Sequence, residues 1–324
     1  MMTRPTVLVT RRWPAAVEAV LSERYDTVLN TCDVPLSPAE IRRALKTFDA
    51  VLPTVTDRLD AEALDVPDAR TRILANFGYG YAHICEPVAR QRGLTVTNTP
   101  DNPSECTADF AMMLLLMAGR RACEGERNLR AGNWSRWCPD HLIGTRVSGK
   151  TLGIIGFGNA GQELARRAHH GFGMRIVVQD EERIDPAILE QVDATQAKDV
   201  DDLLPPCDFV SLHCAEARSN EPLIGARRLN LMKADAFLIN TARGDLVDEA
   251  ALVHALIFET IGGAALDVFV REPRINADLL NCDNLVLLPH LGGATRENRE
   301  AMGFRVLENL SDFFDGRDPR DRVI

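Results

Sequence analysis

The sequence predicts an α/β fold built on two parallel sheets. Three observations carry this. Short apolar runs alternate with helical patterns over the first hundred residues, a second series of the same kind begins at Lys150, and that second series opens on a glycine triplet placed between a strand and a helix. Repeated βα units make strands parallel and cover both sheet faces with helices.

The elements follow in order. "TVLVT" (6–10) reads as a first strand and "PAAVEAVLSERY" as the helix after it. "TVLN" (27–30) is a second strand, followed by "SPAEIRRALKTF", where Ser37 and Glu40 have the spacing of a capping box. "DAVLPT" (49–54), "RILANFG" (72–78) and "LTVTNTP" (94–100) are further strands, with "AHICEPVARQRG" a helix ended by Gly93. Residues 103–120, "PSECTADFAMMLLLMAGR", read as one long, largely buried helix capped by Ser104 or Thr107. A passage rich in Gly, Trp and Pro follows, "AGNWSRWCPDHLIGTRVSG". The second series then runs through "KTLGIIG", "AGQELARRAHHGFG", "MRIVVQD", "CDFVSLHC", "AFLINTARG", "GAALDVF" and "NLVLLPH". The amphipathic helix "RENREAMGFRVLENLSDFFDG" comes last, and packing it back on the first series makes that domain discontinuous: residues 1–99 completed by 296–324, around a second domain at 100–295.

The 324 residues carry a net charge of −10 with no basic run, which disfavours nucleic acid and anionic membranes as partners. The longest apolar stretch, "FAMMLLLMAG" (110–119), is too short to span a bilayer, and "MMTRPTVLVTRRW" lacks the apolar core of a signal peptide. The eight cysteines are scattered without a Cys-x-x-Cys pair, which points to small buried residues in a reducing cytoplasm and to no metal site.

"TLGIIGFGNAGQELARRA" contains Gly156, Gly158 and Gly161 in the G-x-G-x-x-G spacing, after an apolar strand and before a helical pattern. The glycines permit a tight turn, close approach of backbone to a pyrophosphate and close helix–strand packing. The helix N-terminus offers free N–H groups to phosphate. The next strand leads to Asp180, placed to bind a ribose 2′-hydroxyl and to repel a 2′-phosphate, so NAD(H) is expected ahead of NADP(H).

Three later strand ends carry polar groups: Arg243, then Asp267 with Glu272 beyond it, then His290. In open α/β sheets, ligands bind outside the carboxyl ends of strands. Reducing a 2-keto acid requires a grip on its carboxylate and a proton for the developing alkoxide. Arg243 suits the first, because a guanidinium fork binds carboxylate bidentately. His290 suits the second, and Glu272 can orient the ring and favour its protonated form.

With these residues in view, the sequence resembles the D-isomer-specific 2-hydroxyacid dehydrogenases, most of all their glyoxylate and hydroxypyruvate reductase branch. The matching pieces are "NTPDNPSECTADFAMMLLL", "GKTLGIIGFGNAG", "FLINTARGDLVDEAAL", "GAALDVFVREP" and "LLPHLGGAT". The resemblance implies a Rossmann-type NAD-binding domain inserted into a flavodoxin-like substrate domain, with the substrate in the cleft between them. It implies Arg243, Glu272 and His290 as the catalytic trio. Gly158, Asn159, Ala160 and Asp180 would hold the dinucleotide, with Thr107, His213, Ala242, Asp267 and Gly292 near its nicotinamide half. The backbone N–H groups of Tyr79 and Gly80 would bind the substrate carboxylate. It further implies a homodimer, with the helix at 104–120 and the adjoining passage at the interface.

The sequence departs from the family pattern in three places. "HCAEARSNEPLIG" replaces the usual Pro-Leu-Thr loop and adds Glu216 and Glu221, Asn159-Ala160 stands where Arg-Ile is common, and Ala82 where Asp is frequent. Two other readings share the fold: a phosphoglycerate dehydrogenase, which would want more basic residues near "NFGYGYAHI", and an NAD(H)-sensing regulator, which would not need the trio.

Overall fold

The computed structural model describes residues 4–100, 104–214 and 221–324. The chain divides into two units: Met1–Pro103 with Ala294–Ile324, and Ser104–Gly293.

The first unit holds β1 (Thr6–Val9), β2 (Asp26–Leu29), β3 (Ala50–Leu52), β4 (Ile73–Ala75) and β5 (Thr95–Thr97). They form one parallel sheet in the order β2-β1-β3-β4-β5, the flavodoxin-like order. Every residue of β3, β4 and β5 is buried, as expected of strands covered on both faces. The helix Pro38–Thr47 starts with the capping box its sequence announces: the Glu40 N–H donates to Ser37 Oγ, and Ser37 N–H to the Glu40 carboxylate. The closing helix Arg296–Phe314 is capped by Thr295, whose hydroxyl accepts from Asn298 N–H at 3.1 Å. It buries Met302, Val306, Leu307 and Leu310 against Val17 and Leu21 of the helix Ala15–Arg24. A fully buried leucine contributes about 2 kcal/mol to such a contact.

The second unit holds β6 (Thr151–Ile155), β7 (Arg175–Gln179), β8 (Ala194–Gln196), β9 (Phe209–Leu212), β10 (Phe237–Asn240), β11 (Gly263–Leu266) and β12 (Leu285–Leu287). Their order, β12-β11-β10-β9-β6-β7-β8, is doubly wound and reverses between β6 and β9. All of its neighbouring strands are parallel. The helix Ser104–Gly119 buries Ala108, Ala111, Leu114 and Leu115 in a core shared with Ile154, Phe209, Phe237 and Ile239. Phe209 and Phe237 stack at 5.2 Å, and Gly119 lets the helix close on Phe209, which a Cβ there would meet at 3.1 Å. The helix is described from Ser104 onward, which places Thr107 inside it rather than ahead of it.

Two elements differ from the expected pattern. The helix Ala122–Arg130 buries none of its residues fully, and only Cys123 packs against the neighbouring core. His169 and His170 fall in a π-turn, Arg167–Gly171, that ends the helix Asn159–Arg166. Among the described residues no helix is long and apolar enough to cross a membrane, and no cluster of His, Cys, Asp or Glu is placed to hold a metal ion.

Candidate active site

The glycine triplet shapes a groove at the sheet's reversal point. Gly156 has φ +90°, and a Cβ there would lie 2.5 Å from the Cys214 nitrogen beyond β9. Only glycine lets the turn after β6 touch the end of β9. Gly161 packs the helix back on this turn, since its Cβ would sit 2.4 Å from the Gly156 carbonyl oxygen. Gly158 caps the helix with open space on its Cβ side, and Gln162 N–H makes the bond back to the Gly158 carbonyl. The N–H groups of Asn159, Ala160 and Gly161 precede that bond and remain for an anion.

Asp180 follows β7 directly. Its carboxylate accepts from Phe157 N–H at 2.7 Å and from Glu181 N–H at 2.8 Å, which fixes it over the turn. The groove, about 1010 Å³, is lined by Gly156, Gly158, Asp180, His213, Cys214 and Arg228 among others. An open helix N-terminus, a glycine turn and an anchored carboxylate fit an adenine dinucleotide. His213 lies just after β9 with Nε2 2.9 Å from Ser211 Oγ, and burial pulls its pKa down to about 4. It is therefore neutral near pH 7, a packing and hydrogen-bonding group rather than a proton donor.

The three downstream strands end before their polar residues. β10 stops at Asn240, and Arg243 comes three positions later. Asn240 builds that turn: its Oδ1 accepts from Ala242 N–H at 3.0 Å, and its Nδ2 donates to the Arg243 carbonyl at 2.7 Å. The Arg243 guanidinium donates to the Ala242 carbonyl at 2.7 Å. Gly244 then presses on the loop after β11, where a Cβ would lie 2.0 Å from the Phe269 carbonyl carbon.

β12 stops at Leu287, so Pro289 does not itself end the strand. His290 adopts φ 55°, a left-handed conformation uncommon outside glycine and found at functional sites. Asp267 holds it there. Its carbonyl accepts from His290 N–H at 2.9 Å, and its two carboxylate oxygens accept from Leu291 and Gly292 N–H, each at 2.7 Å. Each oxygen of Asp267 thus holds one N–H of the histidine loop and helps to mount it. Burial raises its pKa above the ordinary carboxylate value despite those two hydrogen bonds.

His290 Nδ1 lies 2.6 Å from Glu272 Oε2, and Glu272 Oε1 accepts from Phe269 N–H at 3.0 Å. The hydrogen bond to Glu272 raises the His290 pKa; burial and the Arg243 charge oppose it without cancelling it. Burial pushes Glu272 upward, but the bonds from His290 and Phe269 prevail and leave it below its ordinary value. The pair therefore favours imidazolium and carboxylate, with Arg243 close enough for its charge to act on both.

The structure thus gathers Arg243, Glu272 and His290 at the carboxyl ends of β10 to β12. Thr107 and Ala242 are half-buried in the same unit, and Gly292 lies against Asp267, which a Cβ would meet at 3.1 Å. Tyr79 and Gly80 lie in the other unit, in the loop after β4. Of the substituted loop, Glu216 lies outside the described residues, whereas Glu221 lines the groove. Sequence reasoning missed Asn240 and Gly244 as builders of the Arg243 turn. The Asn–x–x–Arg–Gly spacing after an apolar strand is the signal that could have found them.

Residues 112–292 match the family model described as D-isomer specific 2-hydroxyacid dehydrogenase, NAD binding domain. The chain belongs to this family. It is 39% identical to a glyoxylate reductase from Thermococcus kodakarensis, over 98% of this chain and 95% of the relative. Among solved structures, a Sinorhizobium meliloti enzyme described as an NADPH-dependent glyoxylate/hydroxypyruvate reductase, in complex with citrate, is 31% identical with a TM-score of 0.83, covering 99% of this chain and 97% of that one. A protein from Thermus thermophilus is 37% identical with a TM-score of 0.89, covering 98% and 100%. The protein is accordingly a D-2-hydroxyacid dehydrogenase, a nicotinamide-dependent oxidoreductase acting on CH–OH groups.

Proposed function

We propose that the protein reduces a small 2-keto acid of the glyoxylate or hydroxypyruvate class, with NADH preferred. The observation that carries this is the His290–Glu272 pair at 2.6 Å with the Arg243 charge beside it. Bound NADH supplies the hydride to the carbonyl carbon. His290, held protonated by Glu272, gives its proton to the developing alkoxide. Arg243 grips the carboxylate and stays charged throughout. A role in binding carboxylate is proposed for the N–H groups of Tyr79 and Gly80.

Asp180 supports NADH, because a second negative charge at the ribose 2′ position would face a fixed carboxylate. Arg227 and Arg228 line the same groove, but both are paired with Asp201, at 2.6 and 2.9 Å. That leaves them poor partners for a 2′-phosphate.

A homodimer is part of this reading. Leu129, Trp134, Trp137 and Ile143 are exposed, Trp137 at 77%, and apolar side chains crowded into one passage favour association. Light scattering on the eluted protein checks it. The free cysteines support a reducing, cytoplasmic setting.

The test is to offer NADH or NADPH with a panel of 2-keto acids and follow cofactor oxidation. Turnover of glyoxylate or hydroxypyruvate is expected. Tight NADH binding without turnover of any acid would favour the regulatory reading instead. His290→Gln should lower the rate by about 10²- to 10⁴-fold while NADH binding persists.

A further inference from the structure

We infer that Asn76 and Asn98 are positioning residues: together they form a carboxamide clasp that turns the backbone of Gly78, Tyr79 and Gly80 into a receptor for the substrate carboxylate. This rests on the 2-keto acid reading above and adds to it how the receptor is built.

Asn76 follows β4 and is fully buried; Asn98 follows β5 and is buried to 7%. Asn76 Nδ2 donates to the carbonyls of Gly78 and Gly80, both at 3.0 Å. Asn98 Nδ2 donates to the Tyr79 carbonyl at 2.9 Å, and Thr99 N–H to the Gly78 carbonyl at 3.1 Å. Three consecutive carbonyls are thus drawn to buried donors. Among the described residues, the N–H groups of Gly78, Tyr79 and Gly80 have no acceptor. Successive unpaired N–H groups form a concavity suited to an anion. A Cβ on Gly80 would meet nothing within 4 Å, so a ligand can approach the backbone there.

A further observation argues that the clasp exists for its donors. Asn76 Oδ1 is buried with no hydrogen-bond partner. An orphaned buried acceptor is destabilising, so an apolar side chain would serve packing better. The residue that does stand there brings two N–H groups to two carbonyls. Asn98 is itself tied down. Its N–H donates to the Asp321 carbonyl at 3.2 Å, and its carbonyl accepts from Asn309 Nδ2 at 3.3 Å.

The experiment compares full-length wild type with Asn76→Ser and Asn98→Ala. It measures kcat and KM with NADH for glyoxylate and for its neutral methyl ester, alongside NADH affinity and the melting temperature. Each variant should raise KM for glyoxylate about tenfold, the effect of one weakened charge-assisted hydrogen bond, with KM for the ester changed less than about twofold. NADH affinity should stay at the wild-type value. Equal changes for acid and ester, or no change for either, would overturn the clasp. If wild type reduces no 2-keto acid, the activity reading fails on its own. Calorimetric titration with oxamate, an unreactive carboxylate, then decides the clasp: weaker binding in both variants supports it and equal binding refutes it. If Asn76→Ser does not fold, Asn98→Ala carries the same comparison.

Discussion

Gly244→Ala tests whether the catalytic groups depend on one close backbone contact. A Cβ at this position would lie 2.0 Å from the Phe269 carbonyl carbon, 2.2 Å from its oxygen and 2.4 Å from the Val270 nitrogen. All three are backbone atoms, so no side-chain rotation relieves the clash. Ordinary contact begins at 3.4 Å, so one of the two loops must shift by about 1.4 Å. One loop carries Arg243; the other carries Phe269, whose N–H holds Glu272. A misplacement near 1 Å costs about 10²-fold in rate, so kcat/KM for the keto acid should fall by that order. Overpacking of this kind should also lower stability by about 1–3 kcal/mol. Ala242, expected near the nicotinamide, lies on the Arg243 loop, so the NADH titration shows whether the shift also reaches the cofactor. The assay is steady-state kinetics paired with a fluorescence titration of NADH and a thermal melt. A variant that keeps more than about a third of wild-type kcat/KM would refute the reasoning, because a shift of that size cannot leave the geometry intact.

Glu272→Gln removes the hydrogen-bonded carboxylate that raises the His290 pKa. Reductive kcat/KM needs imidazolium, so it declines as pH rises through that pKa. In the variant the decline should move to lower pH; a pH profile that keeps its position would mean another group sets it. Asp180→Ser removes the carboxylate that faces a 2′-phosphate. The preference for NADH over NADPH, measured as a ratio of kcat/KM values, should fall by about tenfold or more, as expected for loss of one charged contact.

Much of the fold was legible because its strands are short apolar runs bounded by turn residues. The groove was legible because a tight turn at that point admits little but glycine, as Gly156 shows. The trio was visible as polar residues following such runs. Other features were hidden for physical reasons. Strand ends are set by where the ladder of hydrogen bonds stops, and β10 and β12 stop three residues before Arg243 and His290. The service of Asp267 to the Leu291 and Gly292 N–H groups spans some two dozen residues of chain, beyond any local pattern. The left-handed backbone of His290 follows from those contacts rather than from the residue itself. Asn76 and Asn98 look in sequence like ordinary turn asparagines, and only their carbonyl partners separate them from that role.

The interrupted first unit has a consequence for how the chain is made. Ribosomes release it from the amino end, so Ser104–Gly293 is synthesised whole before the segment that completes the first sheet's packing exists. The opening hundred residues must wait, with Val17 and Leu21 lacking their partners, until Met302, Val306, Leu307 and Leu310 emerge. Contacts so distant along the chain are slow to close. The unit bearing Arg243, Glu272 and His290 is contiguous and can mature first, while the unit bearing Gly78 to Gly80 is sealed only once Asn309 has emerged.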